Sequence, residues 1–142
     1  IHYLLGEFQG TVSGSVTQAQ GMALSYVRQN YEDNRGTLQQ FAEEHCLSYQ
    51  ELLNNLRKLG VERNVFQNRI EDMSMGQRKR VELAKSLATP AELFIWDEPL
   101  NYLDVFNHKQ LEAVIQTVKP TMLIVEHDQT FLKNVATKII EL

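Results

Sequence analysis

The sequence predicts an α/β fold in which a parallel sheet is covered by helices and a small helical subdomain is inserted into the core. Three observations carry that prediction. Leu93-Phe94-Ile95-Trp96 and Met122-Leu123-Ile124-Val125 are wholly apolar runs, too short for a helix face and without alternation, as expected of strands buried on both sides. From residue 70 onward helix and strand patterns alternate, the order that lays strands parallel. Residues 37 to about 69 form a helical block with no strand pattern between them.

Taken in order, Ile1 to Leu5 reads as the last turn of a helix ending near Gly6. Gly10 to Val16 is β-prone but interrupted by glycine, which suggests a short exposed strand or hairpin arm. A second strand over Ala23 to Val27 delivers Arg28-Gln29-Asn30 into a polar loop, Asn30 to Gly36, whose one apolar residue is Tyr31. Thr37 with Gln40 is a capping-box pattern ahead of Leu38, Phe41 and Ala42. Ser48 with Glu51 repeats it ahead of Leu52, Leu53, Leu56 and Leu59, and Gly60 stands where the helix should stop. Ser74 with Gln77 opens a third helix carrying Val81, Ala84, Leu87 and Ala88, which Pro90 ends. After the Leu93 strand comes a helix with Leu111, Val114, Ile115 and Val118 on one side, broken by Pro120. The Met122 strand follows, then a helix carrying Phe131, Leu132 and Val135, and a final strand is expected at Ile139-Ile140.

The 142 residues suffice for one modest domain or a piece of a larger one. Hydrophobic content of 43% and charged content of 23% are those of a soluble globular protein. A net charge of −4 provides no general attraction to nucleic acid or to an anionic membrane, and no direct nucleic-acid site is evident. The single cysteine, Cys46, excludes an internal disulfide and fits a reducing, cytoplasmic setting. No apolar run approaches the ~20 residues that cross a bilayer, and there is no leader pattern at the start. Ile1 is an unusual first residue, so the chain reads as an excised segment.

The chemistry concentrates after Trp96. Asp97 and Glu98 follow a buried strand directly, and Pro99 stops its regular continuation. Ligands of open α/β sheets sit beyond the carboxyl ends of the strands, so these acids stand where a phosphate-bound metal and an attacking water could be handled. Successive side chains point opposite ways, and the two acids should therefore do different jobs. The plainer alternative is that they cap the next helix or face solvent.

Other candidates also admit two readings each. Ser74 and Gln77 make a sound helix start, and the same free N–H groups and positive dipole end suit a phosphate, with Gly76 permitting close backbone approach. His127, after the Met122 strand, could donate to a phosphate oxygen or orient a water, or could be structural. Gln29 after a strand is a weak signal alone. Arg78-Lys79-Arg80 reads as a solvated helix face beside Glu82 rather than an RNA-binding patch.

Their order is more specific than any one of them. Gln29, a helical insert, the Ser74-x-Gly76-Gln77 helix, the Asp97-Glu98 strand end, Asn101-x-Leu103-Asp104 and His127-Asp128 together resemble the ATP-binding cassette ATPases over nearly the whole chain. The resemblance implies a partial P-loop NTPase core with a parallel sheet and an inserted helical signature subdomain. It implies ATP and Mg²⁺ as cofactors, with Gln29 in the Q-loop touching nucleotide and metal, and Ser74, Gly76 and Gln77 in the nucleotide-binding signature motif. Asp97 would support the metal, Glu98 would be the catalytic base and Asp104 would close the D-loop at the nucleotide. His127 would be the catalytic switch histidine. On this reading residues 1–36 belong to the core with the Q-loop, residues 37–88 to the helical subdomain and signature helix, and residues 89–142 to the catalytic core.

Gln77-Arg78-Lys79-Arg80-Val81-Glu82-Leu83-Ala84-Lys85 and the Asn-x-Leu-Asp D-loop are similar to the F subfamily, in which two cassettes share one chain without membrane spans. Trp96 to Asp104 and Ile124 to Asp128 resemble its antibiotic-resistance members that protect ribosomes, most closely their second, C-terminal cassette. The implied partners are the other cassette of the same polypeptide and the ribosome. The chain departs from the family pattern in two places, with Met75 at a signature glycine and Leu100 in place of threonine, and both bear on how fast the site turns over. None of the seven glycines is followed by lysine, so the G-x-x-x-x-G-K-[ST] phosphate loop is missing from this stretch. The chain is expected to begin just past that loop and to be inactive alone. The rival expectation is the nucleotide-binding domain of a membrane exporter.

Overall fold

The computed structural model describes residues 20–141. The helix turn expected at Ile1 to Leu5 and the strand expected at Gly10 to Val16 lie outside the described residues. Three parallel strands, β1 (Leu24–Val27), β2 (Leu93–Asp97) and β3 (Met122–Val125), form a sheet in that spatial order. Val27 pairs with Trp96, and Asp97 with Val125, so the carboxyl ends of all three strands lie at one edge. The α/β class with a parallel sheet is therefore as expected.

Between β1 and β2 lie α1 (Leu38–Glu44), α2 (Tyr49–Lys58), two short 3-10 turns (Arg63–Gln67 and Ile70–Asp72) and α3 (Met75–Ala88). Thr37 and Ser74 make complete capping boxes with Gln40 and Gln77. At Ser48 only half of the box forms, the hydroxyl accepting from the Glu51 N–H. Gly60 ends α2 at a φ of +82°, so the backbone favours glycine there, and a Cβ would meet only the movable end of the Gln110 side chain on the helix after β2. That helix, α4 (Val105–Val118), joins β2 to β3, and α5 (Gln129–Val135) packs on it.

Helix α3 lies between β1 and α2. Val81, Leu83 and Ala84 are fully buried on it, and Trp96 of β2 is buried opposite. A polar pin fixes the contact. The Trp96 indole donates to Ser86 Oγ at 2.9 Å, and the Ser25 hydroxyl donates to the Ser86 carbonyl at 2.8 Å. Each buried polar atom in that pin has a partner, as a dry interface demands.

Four expectations fail. Arg78-Lys79-Arg80 is not a solvated face: Lys79 is 1% exposed, and both arginines are half-buried because α3 is covered on more than one side. Val118 is half exposed at the end of α4, where the helix stops at Lys119 in a left-handed conformation. Strand β3 buries one face only, with Leu123 and Val125 exposed by about two-fifths, 41% and 38%. Ile139-Ile140 forms no strand and is exposed, since no described strand lies beside it to supply a ladder.

Candidate functional site

The common carboxyl edge of the sheet gathers the predicted residues. Asp97 is the last residue of β2 and is buried, yet no hydrogen bond or ion pair within the described residues occupies its carboxylate. Glu98 follows with its N–H still bonded to the Val125 carbonyl at 2.8 Å, which extends the ladder by one rung. Its φ of +50° is left-handed, a conformation that costs a non-glycine residue roughly 1 kcal/mol or more. The Glu98 carboxylate has partners in two loops. One oxygen accepts from Asn101 Nδ2 at 3.0 Å, and the other lies 3.4 Å from His127 Nε2. The two acids thus have different surroundings, Asp97 inside the strand and Glu98 in the turn after it.

His127 stands two residues past β3, and its side chain is 85% exposed. Its backbone N–H donates to Glu126 Oε1 at 2.8 Å, while Glu126 Oε2 accepts from the Leu100 N–H at 3.2 Å. Glu126 therefore ties the loop after β3 to the loop after β2 and sets the spacing of His127 and Glu98. Gln29 lies two residues past β1, exposed, on the rim of a cleft of about 320 Å³. Tyr31, Arg78, Met75 and Tyr102 also line it. Among the described residues Tyr31 Oη and Arg78 Nε are buried without a hydrogen-bond partner.

The signature segment reaches this edge from α3. Ser74 is exposed, and its hydroxyl is engaged by the Gln77 N–H at 3.2 Å, with Gln77 Oε1 accepting from the Ser74 N–H at 3.0 Å. Gly76 has a use the sequence did not reveal: a Cβ there would sit 2.8 Å from the Tyr102 carbonyl oxygen. Close approach at Gly76 is thus already taken by the Asn101–Asp104 loop, where Tyr102 also has a positive φ of 68°. Asp104 caps α4 by accepting from the Asn107 N–H at 2.9 Å. The plain structural roles of Ser74, Gln77 and Asp104 are realised.

Sequence reasoning missed the charged layer beneath the site. Lys79, Glu82 and Ser86, spaced i, i+3, i+7 on α3, are all buried. That spacing is the signal that could have revealed them, as a polar stripe on an otherwise apolar helix. Lys79 Nζ lies 5.5 Å from the centre of the Tyr31 ring. Burial pushes its pKa below the ordinary lysine value, while Glu82, Glu126, Asp97 and Glu98 oppose the shift. Tyr31 itself is pushed up to about 12, by burial first and then by Tyr102 and Glu82. Arg28 donates from Nε to Glu82 Oε1 at 2.9 Å, and Asn34 Nδ2 donates to Glu82 Oε2 at 2.8 Å.

Among the described residues no three His, Cys, Asp or Glu side chains surround a common metal point. Magnesium on a nucleotide does not require that, since it is held by one or two carboxylates together with phosphate oxygens and waters. The buried carboxylate of Asp97, without a hydrogen bond among the described residues, fits such a donor set.

Residues 5–101 match the ABC transporter family. The chain is 30% identical over 133 residues to the ATP-binding protein Uup of Buchnera aphidicola, covering 88% of this chain and 22% of that protein. It is 38% identical over 87 residues to a probable ATP-binding cassette sub-family F member 3 homolog of Encephalitozoon cuniculi, covering 61% of this chain and 16% of that protein. The chain thus spans about a fifth of these relatives' length. Among solved structures, the complex of archaeal ribosomal stalk protein aP1 with archaeal ribosome recycling factor aABCE1 superposes with a TM-score of 0.73 at 24% identity. It covers 94% of this chain and 27% of that one, a likeness of fold. Among the described residues no helix is long and apolar enough to cross a membrane. With two-thirds of its length matched, this chain belongs to the ABC transporter family and carries part of its ATPase domain.

Proposed function

We propose that the chain is part of the second cassette of an F-subfamily ATPase. Two cassettes of one polypeptide would close over ATP and Mg²⁺ in the cytoplasm, and the protein would act on the ribosome to confer antibiotic resistance. Sub-family F proteins among the relatives support the subfamily. The observation that carries the catalytic reading is that Gln29, Asp97, Glu98 and His127 all stand at or just past the carboxyl ends of three parallel strands, with His127 Nε2 3.4 Å from Glu98. Residues 1–36 and 89–142 would form the core, and residues 37–88 the helical subdomain with the signature helix.

In this reading the metal supplies charge neutralisation to the phosphates. Asp97 would hold it, through water, and Gln29 would be its second contact. Glu98 accepts the proton of the attacking water, and Asn101 and His127 on either side of its carboxylate keep it aimed. His127 is exposed and free to donate toward the γ-phosphate. Ser74, Gly76 and Gln77 present the α3 N-terminus, and Asp104 its loop, to the nucleotide held by the opposite cassette. Preorganised charge does most of the work in such phosphoryl transfer. The isolated chain is inactive on this account, because it carries no phosphate-cradling Gly-Lys sequence.

The test is to fractionate lysate of cells expressing the complete protein, with ATP present. Recovery with ribosomes supports the proposal. Recovery in the membrane pellet and none with ribosomes assigns the chain to an exporter instead.

A further inference from the structure

We infer that Arg28 is a positioning residue that, by gripping Glu82 on α3, fixes Gln29 relative to the signature helix. The inference rests on the reading of Gln29 as a residue that meets the γ-phosphate and metal. Glu82 is 0% exposed and has both oxygens engaged. Oε1 accepts from Arg28 Nε at 2.9 Å and from the Arg28 backbone N–H at 3.4 Å. Oε2 accepts from Arg28 Nη2 at 3.3 Å and from Asn34 Nδ2 at 2.8 Å. Arg28 Nη2 also donates to Asn34 Oδ1 at 2.8 Å, which closes a triangle of three side chains.

One carboxylate thus pins the residue immediately before Gln29 and the residue five after it. The ends of the loop are clamped on α3, while its tip, Gln29 and Asn30, stays exposed at the cleft. The clamp resists slipping because any displacement of Arg28 leaves a fully buried carboxylate short of donors. Burial raises the pKa of Glu82, but the hydrogen bond from Arg28, the charge of Lys85 and the bond from Asn34 outweigh it and keep the group ionised. Glu82 and Ser74 are on one rigid helix, eight residues or ~12 Å apart. A movement of the signature end is therefore passed to Gln29 through a carboxylate that cannot let go.

The fork of arginine is essential to this grip. Nε and Nη2 reach Glu82, and Nη1 reaches Asp33 Oδ2 at 3.0 Å. Lysine keeps the charge but offers one point of attachment.

The experiment uses the complete ATPase and four forms: native, Arg28→Lys, Gln29→Ala and the double variant. Arg28→Lys should lower kcat roughly 10-fold, through misplacement of Gln29, with the KM for ATP within about 2-fold and a lowered melting temperature that is the same in both Gln29 backgrounds. In the Gln29→Ala background the same substitution should change kcat less than about 2-fold, because the group it positions is gone. Equal losses in both backgrounds, or an unchanged kcat in Arg28→Lys, overturn the inference and leave the reading of Gln29 standing. A Gln29→Ala enzyme with native kcat and KM overturns both.

Discussion

Glu82 meets the chain just past β1, and Glu98 follows the end of β2, yet the two carboxylates are built into opposite surroundings. Glu82 is sealed from water and satisfied by Arg28 and Asn34. Glu98 is part exposed, in a strained backbone turn, with one hydrogen bond from Asn101 and an exposed histidine 3.4 Å away. The contrast separates a charge that holds the molecule together from one left with capacity to spare. A saturated buried carboxylate has no lone pair to offer a substrate, whereas an under-occupied one at a strand end does.

Removing each group should therefore have unlike consequences. Glu82→Ala takes the acceptor from buried Asn34 and the partner from Arg28, and should cost about 3–5 kcal/mol in denaturant unfolding of the complete protein. Glu98→Gln should change the same measurement by less than about 0.5 kcal/mol. The difference also has a pH signature. Because the folded-state pKa of Glu82 is depressed, its contribution is present above the unfolded value near ~4.3 and lost as pH falls through the folded value. As pH falls from the unfolded value through the folded one, the native protein should lose stability more steeply than Glu82→Gln. Equal slopes would mean that Glu82 does not carry the acid sensitivity.

What the sequence made legible follows the same divide. The strands, the three helix starts at Thr37, Ser48 and Ser74, and the stop at Gly60 depend on neighbours within a few residues, where side-chain and backbone chemistry is local. The candidate acids were legible because they sit in register with a buried strand. Lys79 and Glu82 were not, since a charged residue on a helix is ordinarily solvated, and only the packing of α3 against β1 and α2 buries these. Gly76 was read for half of its role: its neighbour Tyr102 is 26 residues away, and that contact exists only in three dimensions. The outer face of β3 and the segment at Ile139 were misjudged because an apolar run does not state whether both its faces are covered.

Gly76 offers a smaller effect that sharpens the comparison, because it lies where the structural and chemical regions touch. Gly76→Ala places a Cβ 2.8 Å from the Tyr102 carbonyl and should cost about 1–3 kcal/mol as the loop gives way. Thermal unfolding of the complete protein measures the cost. Native stability in that variant would show that the Asn101–Asp104 loop is not seated on α3 as described.

The central claim is the division of labour between Asp97 and Glu98, and one assay of nucleotide occupancy and turnover on the complete protein tests it. Glu98→Gln keeps size and hydrogen bonding but cannot take the water's proton, so turnover should fall about 10²–10⁴-fold while Mg-ATP remains bound. Asp97→Asn should instead weaken Mg²⁺-dependent binding itself. Near-native hydrolysis by Glu98→Gln, or identical behaviour of the two variants, would contradict the account.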